Sequence, residues 1–411
     1  MSQLEKLLYE FCPNGVEYIS ISECVKNIRN IKWSQKEICQ YRYIDLTSVD
    51  RELHQIIDTQ IINANNAPSR AQQIVQAGDV LFGTTRPTLK RYCFIDNKYN
   101  GQICSTGFCV LRADESVVLQ KWIYYNIASS AFFDHVEKFQ KGASYPAISD
   151  TDVKCFKIPV PPLPIQREIV RILDNFAELT AELTAELTAE LTARRKQYEY
   201  YRDELLSFGD DVEYRCFGEL ATIQRGASPR PINKFITSDP NGVNWIKIGD
   251  VKPGTKYITD TAEKITKEGS KKSRTVTEGD FILSNSMSFG RPYIVKTKGC
   301  IHDGWLSISD FQKCYLPDFL YHLLSSNKYQ KIMRQKASFG GAVQNLNADI
   351  VKSLELPIVA LAEQERIVAI LDRFDALCND LTSGLPAEIE ARQKQYEYYR
   401  DRLLTFKELN P

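Results

Sequence analysis

Two stretches of the chain place apolar residues at steps of three and four, the spacing of one face of a helix. The first stretch covers residues 165–208 and the second covers residues 363–406. In the first, the apolar row begins with Ile169, Ile172 and Leu173. The pattern predicts two long amphipathic helices, and these organise the rest of the sequence.

The two predicted helices are copies of one another. Residues 196–203 (KQYEYYRD) recur unchanged as residues 394–401, and the offset is 394 − 196 = 198. Ile169 precedes its counterpart Ile367 by the same 198 positions. The equal offsets indicate a duplicated element of fixed length, because no net insertion separates the two landmarks. A helix of about 40 residues spans about 60 Å and cannot bury its own apolar stripe, so we expect the copies to pair as a coiled coil.

A tetrapeptide, AELT, is repeated four times over residues 177–192 in the first copy. Ala, Glu and Leu favour helix, and the leucine row consists of Leu179, Leu183, Leu187 and Leu191. Each unit advances about 400°, so the row should drift by about 40° per unit and depart locally from ideal supercoiling. The repeat is either helical filler or a spacer that sets the separation of whatever lies at its two ends. The equal length of the two copies favours the spacer.

The second copy differs from the first at Gly384 and Pro386. Proline inside a helix removes a hydrogen bond and clashes with the preceding turn. We therefore expect a break near residues 383–386, with Pro386 in the first turn of a new helix.

The regions before each helix are predicted to be mixed α/β domains. In the first, residues 41–50 and 79–82 are strand-like and residues 122–136 have helical spacing. The second repeats this plan weakly, with residues 244–251 for the early strand and residues 319–333 for the helix. A proline-rich extended link, residues 158–164, precedes the first long helix, and only Leu356-Pro357 remains of it in the second. The chain is thus predicted to consist of domain, helix, diverged domain and nearly identical helix.

Composition agrees with a soluble protein of two or three domains: 411 residues, 43% of them apolar and 25% charged. No apolar run reaches a membrane-spanning length, and the first residues, MSQLEKLLYEFCPNG, do not form a secretory signal. The 11 cysteines lack paired zinc-ligand spacing and are expected to be reduced, buried thiols of a cytoplasmic protein.

Charge is distributed unevenly, although the total is zero. Residues 1–160 carry +1 and residues 209–360 carry +5, whereas the helical regions, residues 161–208 and 361–411, carry −3 each. Any contact with nucleic acid is therefore expected through the domains rather than the helices.

These features together resemble the DNA specificity subunit of type I restriction–modification systems, most closely the type IC branch. The resemblance rests on residues 158–176 (IPVPPLPIQREIVRILDNF), residues 356–374 (LPIVALAEQERIVAILDRF), the AELT run and both KQYEYYRD segments, and it extends over the whole chain. Residues 360–362 (ALA) depart from it, because the first copy has prolines there. The corresponding regions are a first target recognition domain (1–158), a central conserved helical region (159–208), a second target recognition domain (209–356) and a distal conserved helical region (357–411).

The resemblance implies an α+β fold with two antiparallel conserved helices that hold the recognition domains apart. Each domain would read half of an asymmetric, bipartite site in double-stranded DNA, and the helices would dock two methyltransferase subunits. Restriction subunits would join the larger assembly. Adenine methylation would use S-adenosylmethionine bound by the methyltransferase, and ATP and Mg would belong to the restriction subunit. The resemblance assigns this chain no cofactor and no catalysis.

The tyrosines of the duplicated segments are candidate partner-binding residues: Tyr198, Tyr200, Tyr201, Tyr396, Tyr398 and Tyr399. Positions i and i+2 diverge on a helix, so three tyrosines this close cannot share one face. We expect Tyr200 and Tyr398 to face the methyltransferase subunits or an adjoining recognition domain. The alternative is a solvated, tyrosine-rich helix end.

Basic and amide-rich loops near strand ends are the candidate DNA contacts. Arginine can read guanine, and Asn or Gln can read adenine, whereas Lys and glycine-rich backbone more often hold phosphates. For each single residue, the alternative is an ordinary solvated surface role. The first domain offers Thr84, Thr85, Arg86, Lys90, Arg91, Lys138, Lys141 and Ser144. The second offers Arg225, Lys271, Lys272, Arg274, Ser284, Asn285, Ser286, Ser288, Arg291, Arg334, Lys336, Gly340, Gly341, Gln344 and Asn345.

The sequence lacks the phosphate-binding loop of ATP-driven motors, the Asn/Asp-Pro-Pro-aromatic motif of amino-methyltransferases, and the H-E-x-x-H and G-x-S-x-G motifs. Its four histidines, His54, His135, His302 and His322, are isolated and are interpreted as structural. Two other hypotheses stay open: an autonomous sequence-specific DNA-binding protein or regulator, and an enzyme with an unrecognised site.

Overall fold

The structure is a computed structural model. It describes residues 2–33, 39–209, 211–251, 255–285, 289–340, 343–379 and 384–409. The chain forms two compact units, the first from residues 1–184 and 391–411 and the second from residues 185–390. Each unit contains one mixed α/β domain and a pair of segments from the long helical regions.

The helices occupy both the domains and the predicted long helical regions. In chain order they are α1 (Gln3–Phe11), α2 (Ile21–Cys24), α3 (Gln120–Ala128), α4 (Ser130–Phe139), α5 (Asp150–Lys154), α6 (Leu163–Leu205), α7 (Phe217–Leu220), α8 (Lys267–Ser270), α9 (Pro317–Ser325), α10 (Asn327–Lys336), α11 (Ala348–Lys352), α12 (Leu361–Asn379) and α13 (Leu385–Leu403).

The domain of the first unit is built on small, mainly antiparallel sheets. Its strands are β1 (Tyr18–Ser20), β2 (Val25–Lys26), β3 (Tyr41–Ile44), β4 (Gln60–Ile62), β5 (Ala71–Ile74), β6 (Val80–Gly83), β7 (Tyr92–Phe94), β8 (Ile103–Ser105), β9 (Phe108–Ala113) and β10 (Lys157–Pro159). They form sheets in the orders β2-β9-β6-β7, β4-β3-β8-β5 and β1-β10.

The central strand β6 shows why apolar clusters lie on both faces of its sheet. Successive side chains of a strand point to opposite faces. Val80 and Phe82 therefore pack into the cluster that includes helices α3 and α4, whereas Leu81 packs into a second cluster beside Ile44. The whole strand is buried, so its apolar run lacks the polar alternation of a solvent-facing strand.

The domain of the second unit repeats this plan. Its strands are β11 (Tyr214–Cys216), β12 (Thr222–Arg225), β13 (Ile236–Thr237), β14 (Val243–Ile246), β15 (Tyr257–Ile258), β16 (Glu263–Ile265), β17 (Arg274–Val276), β18 (Phe281–Ser284), β19 (Pro292–Val295), β20 (Gly299–Ile301), β21 (Trp305–Ser309), β22 (Ser338–Gly340), β23 (Val343–Asn345) and β24 (Glu355–Pro357). The sheet orders are β12-β21-β18-β19-β15, β13-β16-β14-β20-β17, β11-β24 and β22-β23.

The glycine turns before β6 and β18 are the same structure in both domains. Gly78 and Gly279 each have φ +91°, a left-handed conformation that favours glycine. The aspartate that follows each glycine accepts a 2.7 Å hydrogen bond from a backbone N–H three residues earlier. The weak sequence match between the domains therefore reflects a shared fold.

The predicted long helices form with two different outcomes. Helix α6 is continuous through the AELT run and passes from the first unit into the second. The distal copy comprises two helices, α12 and α13, and Pro386 lies in the first turn of α13 as expected. The predicted break is confirmed at its C-terminal side, because α13 begins at Leu385. Residues 380–383 lie outside the described part.

The leucine row of the AELT repeat rotates along α6 as its spacing predicts. Leu179 is 61% exposed, Leu183 and Leu191 are half-buried, and Leu187 is 8% exposed. A row that followed an ideal coiled-coil seam would be buried throughout.

Within each unit the long helical segments pack side by side. In the first, the rings of Phe176 on α6 and Tyr399 on α13 lie 6.2 Å apart. In the second, Tyr201 on α6 stacks on Phe374 of α12 at 5.6 Å, and Arg195 lies near Cys378. The pairing in the second unit is antiparallel, because residue numbers rise along α6 as they fall along α12.

A glutamine anchors each long helix to the domain that precedes it. Gln166 accepts from the Leu119 N–H at 2.9 Å and donates to two carbonyl oxygens, and Gln364 accepts from the Leu316 N–H at 2.9 Å and also donates to two carbonyls. Both side chains are buried. The two links therefore have one geometry although most of the prolines are missing from the second.

The helices predicted over residues 122–136 and 319–333 are each two helices, α3–α4 and α9–α10. Ser129 and Ser326 separate them in extended conformation, with ψ 153° and 152°. The hydroxyl of each serine donates to a carbonyl oxygen three residues earlier. Side-chain bonds of this kind compete with helix continuation, which the apolar spacing alone does not reveal.

The two long early strands are also shorter than predicted. Strand β3 ends at Ile44 and is followed by a 3-10 turn, and β14 ends at Ile246 before a similar turn. All cysteines are free thiols, as expected, but Cys39, Cys155 and Cys216 are exposed rather than buried.

Candidate nucleic-acid interface

The two candidate loops of the first domain lie together. Thr85 and Lys141 each form a backbone bridge to Ala147, and the Arg86 N–H donates to the Pro146 carbonyl at 2.7 Å. Residues 84–91 and 138–147 therefore form one surface, here called the first loop surface. Sequence separation of more than fifty residues hid this contact.

Arg86 is the most prominent cation of the first loop surface. Its guanidinium lies 4.5 Å from the ring centroid of Tyr145, and both side chains are exposed. The backbone φ of Arg86 is +49°, which is unusual for a residue other than glycine. The stacked ring restrains a planar, bidentate donor at the surface, a geometry suited to a base edge or a phosphate. Tyr145 was missed by the sequence analysis, although it is the exposed aromatic residue within the predicted loop.

The side chains of the remaining DNA-contact candidates in the first domain differ in how accessible they are to a ligand. Thr84 is buried, and its hydroxyl donates to the Gly107 carbonyl at 2.9 Å. Burial lowers the pKa of Arg91, and its Nε has no partner among the described residues. Lys90 and Lys138 lie over the rings of Phe133 and Phe139, and Lys141 and Ser144 are exposed.

The second domain has the corresponding surface, here called the second loop surface, where residues 284–285 at the end of β18 meet Leu346. The Leu346 N–H donates to the Asn285 carbonyl at 2.8 Å, as the Ile148 N–H does to Thr84 at 3.0 Å. Asn285 and Ser284 are buried, and the Asn285 amide donates to the Asp303 carbonyl at 2.9 Å. These two side chains shape the loop and are not available to DNA in this conformation.

Other second-domain candidates lie in different places or outside the description. Arg225 is exposed and its Nε donates to the Asp303 carbonyl. Lys271 is the C-cap of α8, Lys272 follows it, and Arg274 begins β17, an edge strand of the other large sheet. No described contact joins these three residues to the loop. Ser286, Ser288 and Gly341 lie outside the described residues. Gly340, Gln344 and Asn345 belong to β22 and β23, whose side chains are likewise not described, and Lys336 donates to Ser353.

The two KQYEYYRD segments occupy equivalent sites on the two domains. In the second unit, the Asp203 carboxylate accepts from the Asn327 N–H at 3.0 Å, at the start of α10. In the first unit, Asp401 accepts from the Ser130 N–H at 3.3 Å, at the start of α4. Negative charge stabilises a helix N-terminus. Docking onto equivalent helices gives a physical reason why the two segments are identical.

The tyrosines of these segments divide by exposure. Tyr198 is 7% exposed, and Tyr396 is half-buried, so both are occupied within their own units. Tyr200 and Tyr398 are 64% and 59% exposed. Tyr201 and Tyr399 pack partly on the neighbouring long helix. The predicted partner-binding role therefore narrows to Tyr200 and Tyr398.

Tyr198 begins a buried polar chain in the second unit. Its hydroxyl lies 3.0 Å from His322 Nδ1, and His322 Nε2 lies 2.7 Å from Asp372. Asp372 also pairs with Lys256 at 2.8 Å, and Lys256 pairs with Asp318 at 2.6 Å. Burial lowers the pKa of His322, and hydrogen bonds from His322 and Lys256 outweigh burial and lower the pKa of Asp372. The neutral imidazole can donate to Asp372 while it accepts from Tyr198. Because the imidazole is fully buried, the arrangement serves to fasten the helices rather than to act on a substrate.

In the first unit, the neighbouring segments of α6 and α13 form an apolar groove of 240 Å³. Its lining includes Phe176, Leu179, Leu183 and Tyr399. Exposed apolar side chains on paired helices are typical of protein-binding surfaces. Throughout the described residues, no three acidic, histidine or cysteine side chains are grouped as metal ligands. Every helix there is too short or too polar to cross a membrane.

A duplicated domain with a loop surface at one strand end, each copy followed by a long helical region, defines a two-domain recognition scaffold. The family model described as "Type I restriction modification DNA specificity domain" matches residues 13–193 and 209–391. The chain belongs to this family of type I restriction–modification specificity subunits. As a specificity subunit it serves DNA recognition and is not the catalytic component.

Similar proteins and solved structures agree with this family membership. The specificity subunit of the type I enzyme EcoR124I/EcoR124II from Escherichia coli is 36% identical over 310 residues, 72% of this chain and 73% of the relative. A putative specificity subunit of Haemophilus influenzae is 34% identical over 70% of this chain and 72% of its own length. A chain from a solved type I restriction–modification system matches with TM-score 0.76 and 23% identity, over 95% of this chain and 98% of that one. The HsdS subunit of Thermoanaerobacter tengcongensis matches with TM-score 0.53 and 22% identity, over 96% and 97%. These structures confirm the fold.

Proposed function

We propose that the chain directs a type I complex to an asymmetric, bipartite site in double-stranded DNA. The domain of residues 1–158 reads one half-site and the domain of residues 209–356 reads the other. The observation that carries this proposal is the pair of loop surfaces, which occupy the same strand end in each domain but differ in sequence. Equal placement with unlike side chains suits two readers of unlike sequences.

The conserved helical regions, residues 159–208 and 357–411, dock two methyltransferase subunits and hold the domains apart. Exposed Tyr200 and Tyr398 and the groove near Leu179 support this assignment, because they leave apolar area uncovered. Restriction subunits join through the methyltransferases. S-adenosylmethionine is held by the methyltransferase, and ATP and Mg by the restriction subunit.

Replacing Arg86 with alanine tests half-site reading. If Arg86 reads a base, methylation should be relaxed at one position of the first half-site, with about 1–3 kcal/mol less discrimination. The second half-site should be unaffected. The measurement is methylation of duplexes varied one base pair at a time by the chain with its methyltransferase.

The matched control is Arg42→Ala, which removes an exposed arginine from β3 on the other sheet. It should leave discrimination unchanged. Equal loss of methylation on all duplexes with Arg86→Ala would instead assign Arg86 to a phosphate, and no loss at all would remove it from the interface.

A further inference from the structure

The two domains carry equivalent pockets that differ in one respect. Each pocket lies where a KQYEYYRD segment meets the helix pair of a domain, with Glu199 and Arg202 in the second unit and Glu397 and Arg400 in the first. The second-unit pocket has a volume of 450 Å³, and the first-unit pocket has 90 Å³. A duplicated pocket that is open in only one copy indicates that the copies have different occupants.

The pocket of the first unit is filled by its own domain. The ring of His54 stacks on Tyr92 at 3.8 Å between centroids, and Lys90 lies over the Phe133 ring at 5.0 Å. All four residues line this pocket. Among the described residues that line the second pocket, no pair of side chains fills it as His54 and Tyr92 fill the first.

A buried arginine lines the second pocket and is only weakly paired with the neighbouring carboxylate. Arg202 is 7% exposed, and its contacts with Asp203 are long, at 3.4 Å. The Asp203 carboxylate instead accepts hydrogen bonds from the backbone N–H and the side-chain amide of Asn327, at 3.0 and 2.7 Å. In the first unit, Arg400 Nε donates a hydrogen bond to the Asp401 carboxylate at 2.8 Å. The difference follows from one residue, because Ser130 stands where Asn327 does and has no amide to compete for the carboxylate.

The open pocket is also rich in cations and donors. Arg291, Arg334 and Gln330 line it together with Arg202. Helix α4 has Phe133 where α10 has Gln330, and the same alignment places an acid, Glu137, at the position of Arg334. No acidic side chain among the described residues forms a salt bridge with Arg291 or Arg334. Glu199 is the one acidic residue among those lining the pocket, against three arginines, so the lining carries a net positive charge.

The open pocket adjoins the second loop surface. The Gln330 amide donates to the Gly290 carbonyl at 2.8 Å, and the Gly290 N–H donates to the Ser284 carbonyl at 2.9 Å. The Arg291 N–H bonds to the Ser284 hydroxyl at 3.2 Å. The cationic cluster is therefore fastened to the end of β18, where the candidate loop begins.

We propose that this pocket binds a phosphate group of the DNA backbone beside the half-site of the second domain. The proposal rests on the proposed function. Guanidinium groups bind phosphate oxygens bidentately, and one already buried arginine reduces the cost of ordering the site. A phosphate contact fixes register without reading sequence. Arg291 and Arg334 are thus assigned to positioning the duplex, and the two domains hold DNA unequally.

The test uses the full chain with its methyltransferase and a duplex containing its methylation site. Arg334→Ala should weaken binding roughly tenfold on all sequences and reduce the slope of log affinity against log salt by about 0.9. Neutral methylphosphonates are then placed at one backbone position at a time. One position beside the second half-site should weaken wild-type binding and have no further effect in Arg334→Ala.

The control Lys331→Ala removes an exposed cation from the same helix outside the pocket, and it should keep the sensitivity to that methylphosphonate. An unchanged salt slope for Arg334→Ala, with discrimination between target and scrambled duplex retained, overturns this inference and leaves the proposed function standing. Loss of discrimination at one base pair makes Arg334 a base reader and also overturns it. If wild type binds free pyrophosphate at micromolar concentration while Arg334→Ala leaves DNA affinity and methylphosphonate sensitivity unchanged, the pocket is assigned to a small anion instead. Failure of the wild-type complex to distinguish target from scrambled duplex counts against the proposed function itself.

Discussion

Removing one AELT unit from α6, for example residues 181–184, should change the length of DNA between the two half-sites by one or two base pairs. Both half-sites should keep their sequences. The original site should no longer be methylated efficiently, and a site with a shorter spacer should replace it. Methylome sequencing of hosts that express either version with the methyltransferase measures the change directly.

The expected size follows from helix geometry. Four residues contribute about 6 Å of length and about 40° of rotation, and one DNA base pair contributes about 3.4 Å. Helix α6 is continuous over 43 residues, so a deletion within it has no adjacent loop to absorb the change. A length-preserving control, Glu186→Gln, should leave the spacer as it is. If the deletion variant methylates the original site with its original spacer, AELT is only helical filler.

Changing both Tyr200 and Tyr398 to aspartate should abolish co-purification of the chain with its methyltransferase. Buried interface tyrosines commonly contribute about 2 kcal/mol or more each, and a carboxylate placed in the same contact adds a desolvation cost. Two such sites would weaken assembly by roughly a thousandfold or more. Affinity capture of the tagged chain from cells that produce both proteins gives the result.

The same substitutions should hardly change the thermal stability of the isolated chain, because both side chains are exposed within it. Tyr9→Asp provides a matched control, since Tyr9 is an exposed helical tyrosine outside the duplicated segments. It should leave assembly intact. Normal recovery of the methyltransferase with the double variant would show that these helix ends are simply solvated.

The long helices were predictable because their signal is local and repeated. Three- and four-residue spacing and the AELT composition specify α6, and Pro386 specifies the start of α13. The break at Ser129 was not predictable from apolar spacing, because it depends on one hydroxyl that bonds to the Asn126 carbonyl. The early strands were shortened for a similar reason, since Asp45 caps a turn directly after β3.

The candidate site was predictable as loops but not as individual contacts. Arg86 was proposed from its loop, yet its stacking partner Tyr145 lies in a different loop. Asn285 had the chemistry of an adenine reader, but the fold uses its amide to hold Asp303. The weak pairing of Arg202 with Asp203 arises from competition with Asn327 for one carboxylate, which only three-dimensional contacts reveal. Side chains whose role depends on distant backbone are therefore the ones that the sequence does not identify.

Methylome sequencing of a host that carries this chain and its methyltransferase tests the central claim most directly. The account predicts one asymmetric motif with two specified halves and an unspecified spacer of constant length. In a chimera whose residues 209–356 come from another specificity subunit, one half should change and the other should remain. A continuous or symmetric motif, or adenine methylation that does not depend on this chain, would contradict the account.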